Sequence, residues 1–84
     1  MSKYPPLDFN SINNCINIIS SKEFDTYEFI EKLRTINRTY FNLVSGIGSG
    51  WKSVIGKNLS NYATSTRNIK KKKRKGNAQL WVKR

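Results

Sequence analysis

The chain has 84 residues, of which sixteen are Lys or Arg and five are Asp or Glu, and its formal net charge is +11. It has no histidine and a single cysteine, which excludes an internal disulfide, a zinc or two-metal ligand set within one chain, and the Ser-His and Cys-His pairs of nucleophilic catalysis. We therefore expect a non-enzymatic protein without a cofactor.

The N-terminal part is predicted to form an extended lead-in followed by a helix. Residues 1–7 form the lead-in, because Pro5-Pro6 cannot lie inside a helix and keeps the preceding residue extended. The helix covers residues 8–20, with Asp8 as its cap. Its apolar residues recur at the spacing of one helical face, namely Ile12, Cys15, Ile16 and Ile19. Ser20-Ser21-Lys22 then breaks the pattern.

Two further helices are predicted before a glycine-rich turn. Asp25 or Thr26 begins the first, because oxygen acceptors and acidic residues stabilise a helix N-terminus. Its apolar face consists of Phe29, Ile30, Leu33 and Ile36. Asn37 ends it, and a short helix from Arg38 to about Val44 buries Tyr40, Phe41 and Val44. Glycines at positions 46, 48 and 50 indicate a turn with unusual backbone angles.

The segment Trp51–Tyr62 has the clearest amphipathic pattern of the chain. Its apolar face consists of Trp51, Val54, Ile55, Leu59 and Tyr62. The opposite, polar face carries Lys52, Ser53, Gly56, Lys57, Ser60 and Asn61. Ser49 is the expected cap of this helix, and Thr64-Ser65-Thr66 is the expected stop.

The C-terminal segment is predicted to form a β-hairpin around Gly76-Asn77, because Gly suits the first central position of a type II′ turn. A two-residue turn there pairs Lys73 with Leu80, Lys72 with Trp81, Lys71 with Val82 and Ile69 with Arg84. Ile69, Leu80 and Val82 would then share one face, and Trp81 would lie on the other. This leaves Trp81 either packed in the core or available to stack on a base.

The order helix, short helix, glycine turn, amphipathic helix and basic hairpin resembles that of a winged helix-turn-helix domain over residues 24–84. The resemblance implies a single small domain that is mainly α with a C-terminal β-hairpin, an α+β fold with three to four helices plus the wing. It also implies that Trp51–Tyr62 enters the major groove of duplex DNA and that the wing, residues 68–84, contacts the neighbouring backbone or minor groove. The glycine-rich turn departs from the usual tight turn of this family.

Charge is unevenly distributed along the chain. The first 31 residues hold all five acidic residues and two lysines, whereas the remaining residues carry fourteen cations and no acid. Such a concentrated positive field favours a polyanionic partner, with cations on phosphates and short polar groups on base edges. The predicted nucleic-acid-binding residues are Lys52, Ser53, Lys57, Asn61, Arg67, Asn68, Lys70, Lys71, Lys72, Lys73, Arg74, Lys75, Lys83 and Arg84. Neutralising about six to ten phosphates would lower the affinity by ~10³ to 10⁵ between 50 and 200 mM salt.

Duplex DNA is the favoured partner, with RNA or the ribosome as one alternative and an acidic protein as another. The Ile12–Ile19 stripe leaves open whether the chain forms a homodimer. No run of 18 apolar residues and no apolar leader is present, so a cytoplasmic, nucleoid-associated protein is expected without membrane contact. The ten asparagines fit an AT-rich source such as a phage or plasmid, where the protein would act as a regulator or accessory factor of a mobile element.

Overall fold

The computed structural model describes residues 6–73 and 79–84, which form four helices and three strands. In chain order the elements are α1 Phe9–Ile18, β1 Glu23–Asp25, α2 Thr26–Ile36, α3 Arg38–Ser45, α4 Trp51–Thr66, β2 Ile69–Lys71 and β3 Leu80–Lys83. The strands form one antiparallel sheet in the order β1-β3-β2. The predicted α+β class and the four predicted helices are thereby confirmed. The predicted lead-in up to position 5 lies outside the described residues.

Polar side chains set the ends of the first three helices. Asp8 caps α1 by accepting hydrogen bonds from the backbone N–H and the hydroxyl of Ser11, which lower the pKa of the Asp8 carboxyl. Asp25 and Glu28 form a capping box at the start of α2. Asn37 ends α2 and caps α3 by accepting a hydrogen bond from the backbone N–H of Tyr40.

Helix α4 differs from its prediction at both ends. It begins after Gly50 without a side-chain cap, so the prediction of Ser49 as the cap was wrong. It continues four residues past Tyr62 to Thr66, whose hydroxyl donates to the carbonyl oxygen of Tyr62 at 2.8 Å. Arg67 then ends the helix in the left-handed conformation, with φ of 59°. The predicted end of this helix at Tyr62 was therefore four residues too early.

The sheet contains a strand that the sequence pattern does not predict. β1 is three residues long and pairs with β3, with Phe24 opposite Trp81. Both side chains are 1% exposed, so this pair lies at the base of the core. Asp25 ends β1 and also caps α2, and β1 pairs with β3. The strand therefore connects the start of α2 to the hairpin formed by β2 and β3.

The predicted hairpin register was wrong by one residue. β2 and β3 pair Ile69 with Lys83, Lys70 with Val82 and Lys71 with Trp81. This register places Ile69 and Trp81 on the same buried face and leaves Leu80 and Val82 half-buried on the other. Burying the indole of Trp81 removes more apolar surface from water than burying Leu80 or Val82 would. The predicted turn at Gly76-Asn77 lies outside the described residues.

One continuous core joins the helices to the sheet. It includes the predicted α1 stripe, the inner residues of α2 and α3, Ile55, Leu59 and Tyr62 of α4, and the buried sheet residues. Trp51 is only partly buried and contacts Phe41 edge to face, with ring centroids 5.7 Å apart. Cys15 is fully buried, and burial raises the pKa of its thiol to about 12, so it serves as a small core residue.

Asn58 is a buried polar residue of α4 that links three parts of the fold. Its Oδ1 accepts a hydrogen bond from the backbone N–H of Leu7 at 3.1 Å. Its Nδ2 donates to the hydroxyl of Tyr40 at 2.7 Å and to the carbonyl oxygen of Val54 at 3.1 Å. The side chain therefore fixes the chain before α1 and helix α3 against α4.

Replacing Asn58 with Ala is expected to lower the free energy of unfolding by about 1–3 kcal/mol, because the backbone N–H of Leu7 loses its buried acceptor. Urea unfolding followed by circular dichroism measures this change. Asn14→Ala makes the same change at an exposed position of α1 and should leave the unfolding midpoint nearly unaltered. Equal midpoints for the two variants would show that the Asn58 network contributes nothing to stability.

Candidate functional site

Helix α4 and the hairpin lie side by side and enclose an open cleft of about 320 Å³, here called the first cleft. One wall is the polar face of α4, and the other is formed by β2, the start of β3 and the first turn of α2. A second cleft of about 250 Å³ lies between the C-terminal half of α4 and the hairpin. The two clefts share Ser60, Lys71 and Trp81. Together they form one continuous region, here called the α4–hairpin surface.

The floor of the α4–hairpin surface is held by a buried hydrogen-bond network. The indole Nε1 of Trp81 donates to the hydroxyl of Thr26 at 3.1 Å, and that hydroxyl lies 3.5 Å from the carbonyl oxygen of Gln79, to which it donates. The backbone N–H of Thr26 also donates to the Gln79 carbonyl. These bonds fix the first turn of α2 to β3, so the wall opposite α4 is held together as one unit.

The lining of both clefts is strongly basic. Lys52, Lys57 and Lys71 line the first cleft, and Lys70, Lys71 and Arg84 line the second. Among the described residues, no Asp or Glu lines either cleft. Like charges that converge on one surface repel each other, and an anion placed between them relieves that repulsion. The arrangement is therefore suited to an extended anion that passes along α4.

An exposed aromatic side chain lies at the mouth of the first cleft. Tyr27, in the first turn of α2, is 44% exposed. The Nζ of Lys52 lies 5.0 Å from the centroid of the Tyr27 ring and 5.7 Å from that of Trp51, within the range of cation–π attraction. Lys71 Nζ is similarly placed 5.9 Å from the Trp81 ring. The rings thus hold both ammonium groups along the cleft walls.

The structure brings together six of the predicted site residues. Lys52, Ser53, Lys57, Lys70, Lys71 and Arg84 line the α4–hairpin surface. Residues of the same surface that the sequence did not single out as binding residues include Tyr27, Gly56, Ser60 and Gln79. The pattern placed Gly56 and Ser60 on the polar face of α4, but nothing local indicated that Tyr27 and Gln79 would face the same cleft.

Six other predicted site residues line neither cleft. Lys72 forms an ion pair with Glu23, and the Nζ of Lys83 donates to the carbonyl oxygen of Ile19, so both side chains are directed towards β1 and α1. The amide of Asn68 donates to the hydroxyl of Tyr62 at 3.1 Å. The remaining three are exposed, namely Asn61, Arg67 and Lys73. Arg74 and Lys75 lie outside the described residues.

Two further features are absent from the part of the chain that the structure describes. Between positions 6 and 73 and from 79 to 84, no three His, Cys, Asp or Glu side chains come together in a way that could hold a metal ion. Over the same ranges, none of the helices has the length and apolar character needed to cross a membrane.

Comparisons with models of known protein families, with curated protein sequences and with solved structures found no match to this chain.

Proposed function

We propose that the protein is a non-enzymatic nucleic-acid-binding protein that docks on duplex DNA through the α4–hairpin surface. One observation carries this proposal: five cations from α4, β2 and the C-terminus line one continuous surface whose described lining holds no carboxylate. A phosphate backbone is the partner that matches such a row of cations, because each neutralised phosphate releases a condensed counterion.

The order of the elements supports a winged helix-turn-helix as the finer description of the fold. Helices α2, α3 and α4 are followed directly by the β2–β3 hairpin, and α4 and the hairpin lie on the same surface. In that arrangement α4 reads the major groove and the hairpin contacts the adjacent backbone. The site of action would be the cytoplasm, as a regulator or accessory factor of transcription, replication or transfer of a mobile element.

The two walls of the surface have different tasks in this proposal. Lys70, Lys71 and Arg84 on the hairpin side supply a sequence-independent attraction to phosphates. On the α4 side, Lys52 and Lys57 flank Ser53, whose short hydroxyl group is of the type that reaches base edges. Asn61, exposed on the same helix, offers a second such group. The cations would therefore set the affinity, and Ser53 and Asn61 would set any sequence preference.

Titration of labelled duplex DNA at 50 and 200 mM salt tests the proposal. With the five cations of the surface neutralising phosphates, the affinity should fall by about 500-fold between these two salt concentrations. Structured RNA and single-stranded DNA serve as competitors in the same assay, and duplex DNA should compete best. A protein that fails to bind duplex at 50 mM salt, or that prefers RNA, would contradict the proposal.

A further inference from the structure

Gly56 occupies an unfavourable position for a glycine, in the interior of the sixteen-residue helix α4. A glycine inside a helix destabilises it relative to alanine, because the glycine backbone loses more conformational freedom on folding. Such a residue is therefore expected where a positive φ angle or a close packing contact requires it.

Neither requirement exists at Gly56 within the described structure. Among the described residues, positive φ angles occur at Gly48 and Arg67, and Gly56 has ordinary helical geometry. Apart from its chain neighbours and the nearby backbone of its own helix, a Cβ atom built on Gly56 would meet no heavy atom within 4 Å. The described fold would thus accept alanine at this position, and the glycine is not required by the packing of the chain.

Gly56 lies in the wall of the first cleft, where the absence of a side chain leaves the helix backbone uncovered. Gly56 lines the first cleft on the α4 wall, between Lys52 and Lys57 in the chain, and the opposite wall carries Lys71. The cleft has a volume of about 320 Å³ and carries lysines on both walls, so it offers cations to a single phosphate backbone from two sides. Without a Cβ atom, the backbone of α4 is open to close approach from the cleft.

We infer that one sugar–phosphate strand of the bound nucleic acid runs through the first cleft and makes its closest approach to α4 at Gly56. This inference rests on the proposed function and adds the position of one strand. The lysines on both walls contact its phosphates, and the strand packs against the bare helix backbone. Gly56 is thus a contact residue that acts through its lack of a side chain.

The variant Gly56→Ala separates this role from a structural one. Alanine raises helix propensity, so the melting temperature should rise by about 2–8 °C. The added methyl group occupies the space of the strand, so affinity for a short mixed-sequence duplex should fall by at least about 10-fold, since closely packed interfaces tolerate little added volume. Gly56→Leu, with a larger side chain of similar helix propensity, should weaken binding further. Thermal melts and fluorescence anisotropy measure the two quantities.

Ser65→Ala is the matched control, because Ser65 is exposed on the same helix and lines neither cleft. It should raise the melting temperature slightly and leave the affinity unchanged. If Gly56→Ala binds duplex as tightly as the wild type, or melts at a lower temperature, the inference is overturned while the proposed function stands. If the wild-type protein itself does not bind duplex at 50 mM salt, the proposed function fails first.

Discussion

Replacing Lys52, Lys57 and Lys71 together with Gln is expected to remove most of the affinity for duplex DNA without unfolding the protein. All three side chains are exposed and line the first cleft from both walls. With three phosphate contacts fewer, the slope of log affinity against log salt should become shallower by about 3, and affinity at 100 mM salt should fall by about 100-fold or more. Anisotropy titrations over a salt series measure both, and circular dichroism verifies the fold.

A control variant with the same net charge distinguishes binding at the α4–hairpin surface from a general electrostatic attraction of DNA to the whole protein. Lys22, Arg34 and Arg38 are exposed cations that line neither cleft. Changing these three to Gln removes as much charge as the first triple variant, yet the salt slope should stay close to that of the wild type. Equal losses in the two triple variants would mean that the α4–hairpin surface has no special role in binding.

Local signals in the sequence predicted the helices well. Asp8, Asp25 and Asn37 each stand just before a run with helical periodicity, and each caps a helix in the structure. A cap acts through backbone groups two or three residues away, so its effect is contained in the sequence next to it. The buried stripe of α1 follows the same rule, because a period of 3.6 residues alone determines which side chains share a face.

Contacts distant in sequence were not predictable in the same way. β1 has only three residues, and its partner β3 begins 55 positions after Asp25, so no periodic pattern identifies it. The hairpin register was derived from an assumed turn, although burial of Trp81 beside Phe24 decides it. A shift of one residue exchanges the two faces of a strand, so a small error in the turn changed the predicted position of Trp81.

The candidate site was predictable in part for the same reason. Lys52, Ser53 and Lys57 share a face of one helix, which the sequence shows directly. Tyr27 lies in another helix, and it reaches the first cleft only because β1 and the Trp81–Thr26 hydrogen bond bring α2 to the hairpin. Its exposed ring therefore had no signal in the local sequence.

The stability of the α4–hairpin surface depends on Trp81, which is 1% exposed and forms the floor of both clefts. Replacing Trp81 with Ala is expected to lower the free energy of unfolding by about 3–5 kcal/mol, from the lost burial and the cavity that remains. This is a large fraction of the total stability of a small domain, about 5–15 kcal/mol. Urea unfolding followed by circular dichroism measures the loss.

Two companion variants show whether the position of Trp81 matters, and not merely the presence of an indole. Trp81→Phe keeps an aromatic ring but removes the Nε1 donor to Thr26. Its free energy of unfolding should therefore fall by less than that of Trp81→Ala. Trp51→Ala removes an indole that is only partly buried. It should lower the free energy of unfolding by less than half as much as Trp81→Ala does. If Trp51→Ala destabilises the protein as strongly as Trp81→Ala, the hairpin is not held by its buried tryptophan. Trp81→Phe keeps an aromatic ring in the floor of both clefts, so duplex binding should be retained to the extent that the variant remains folded.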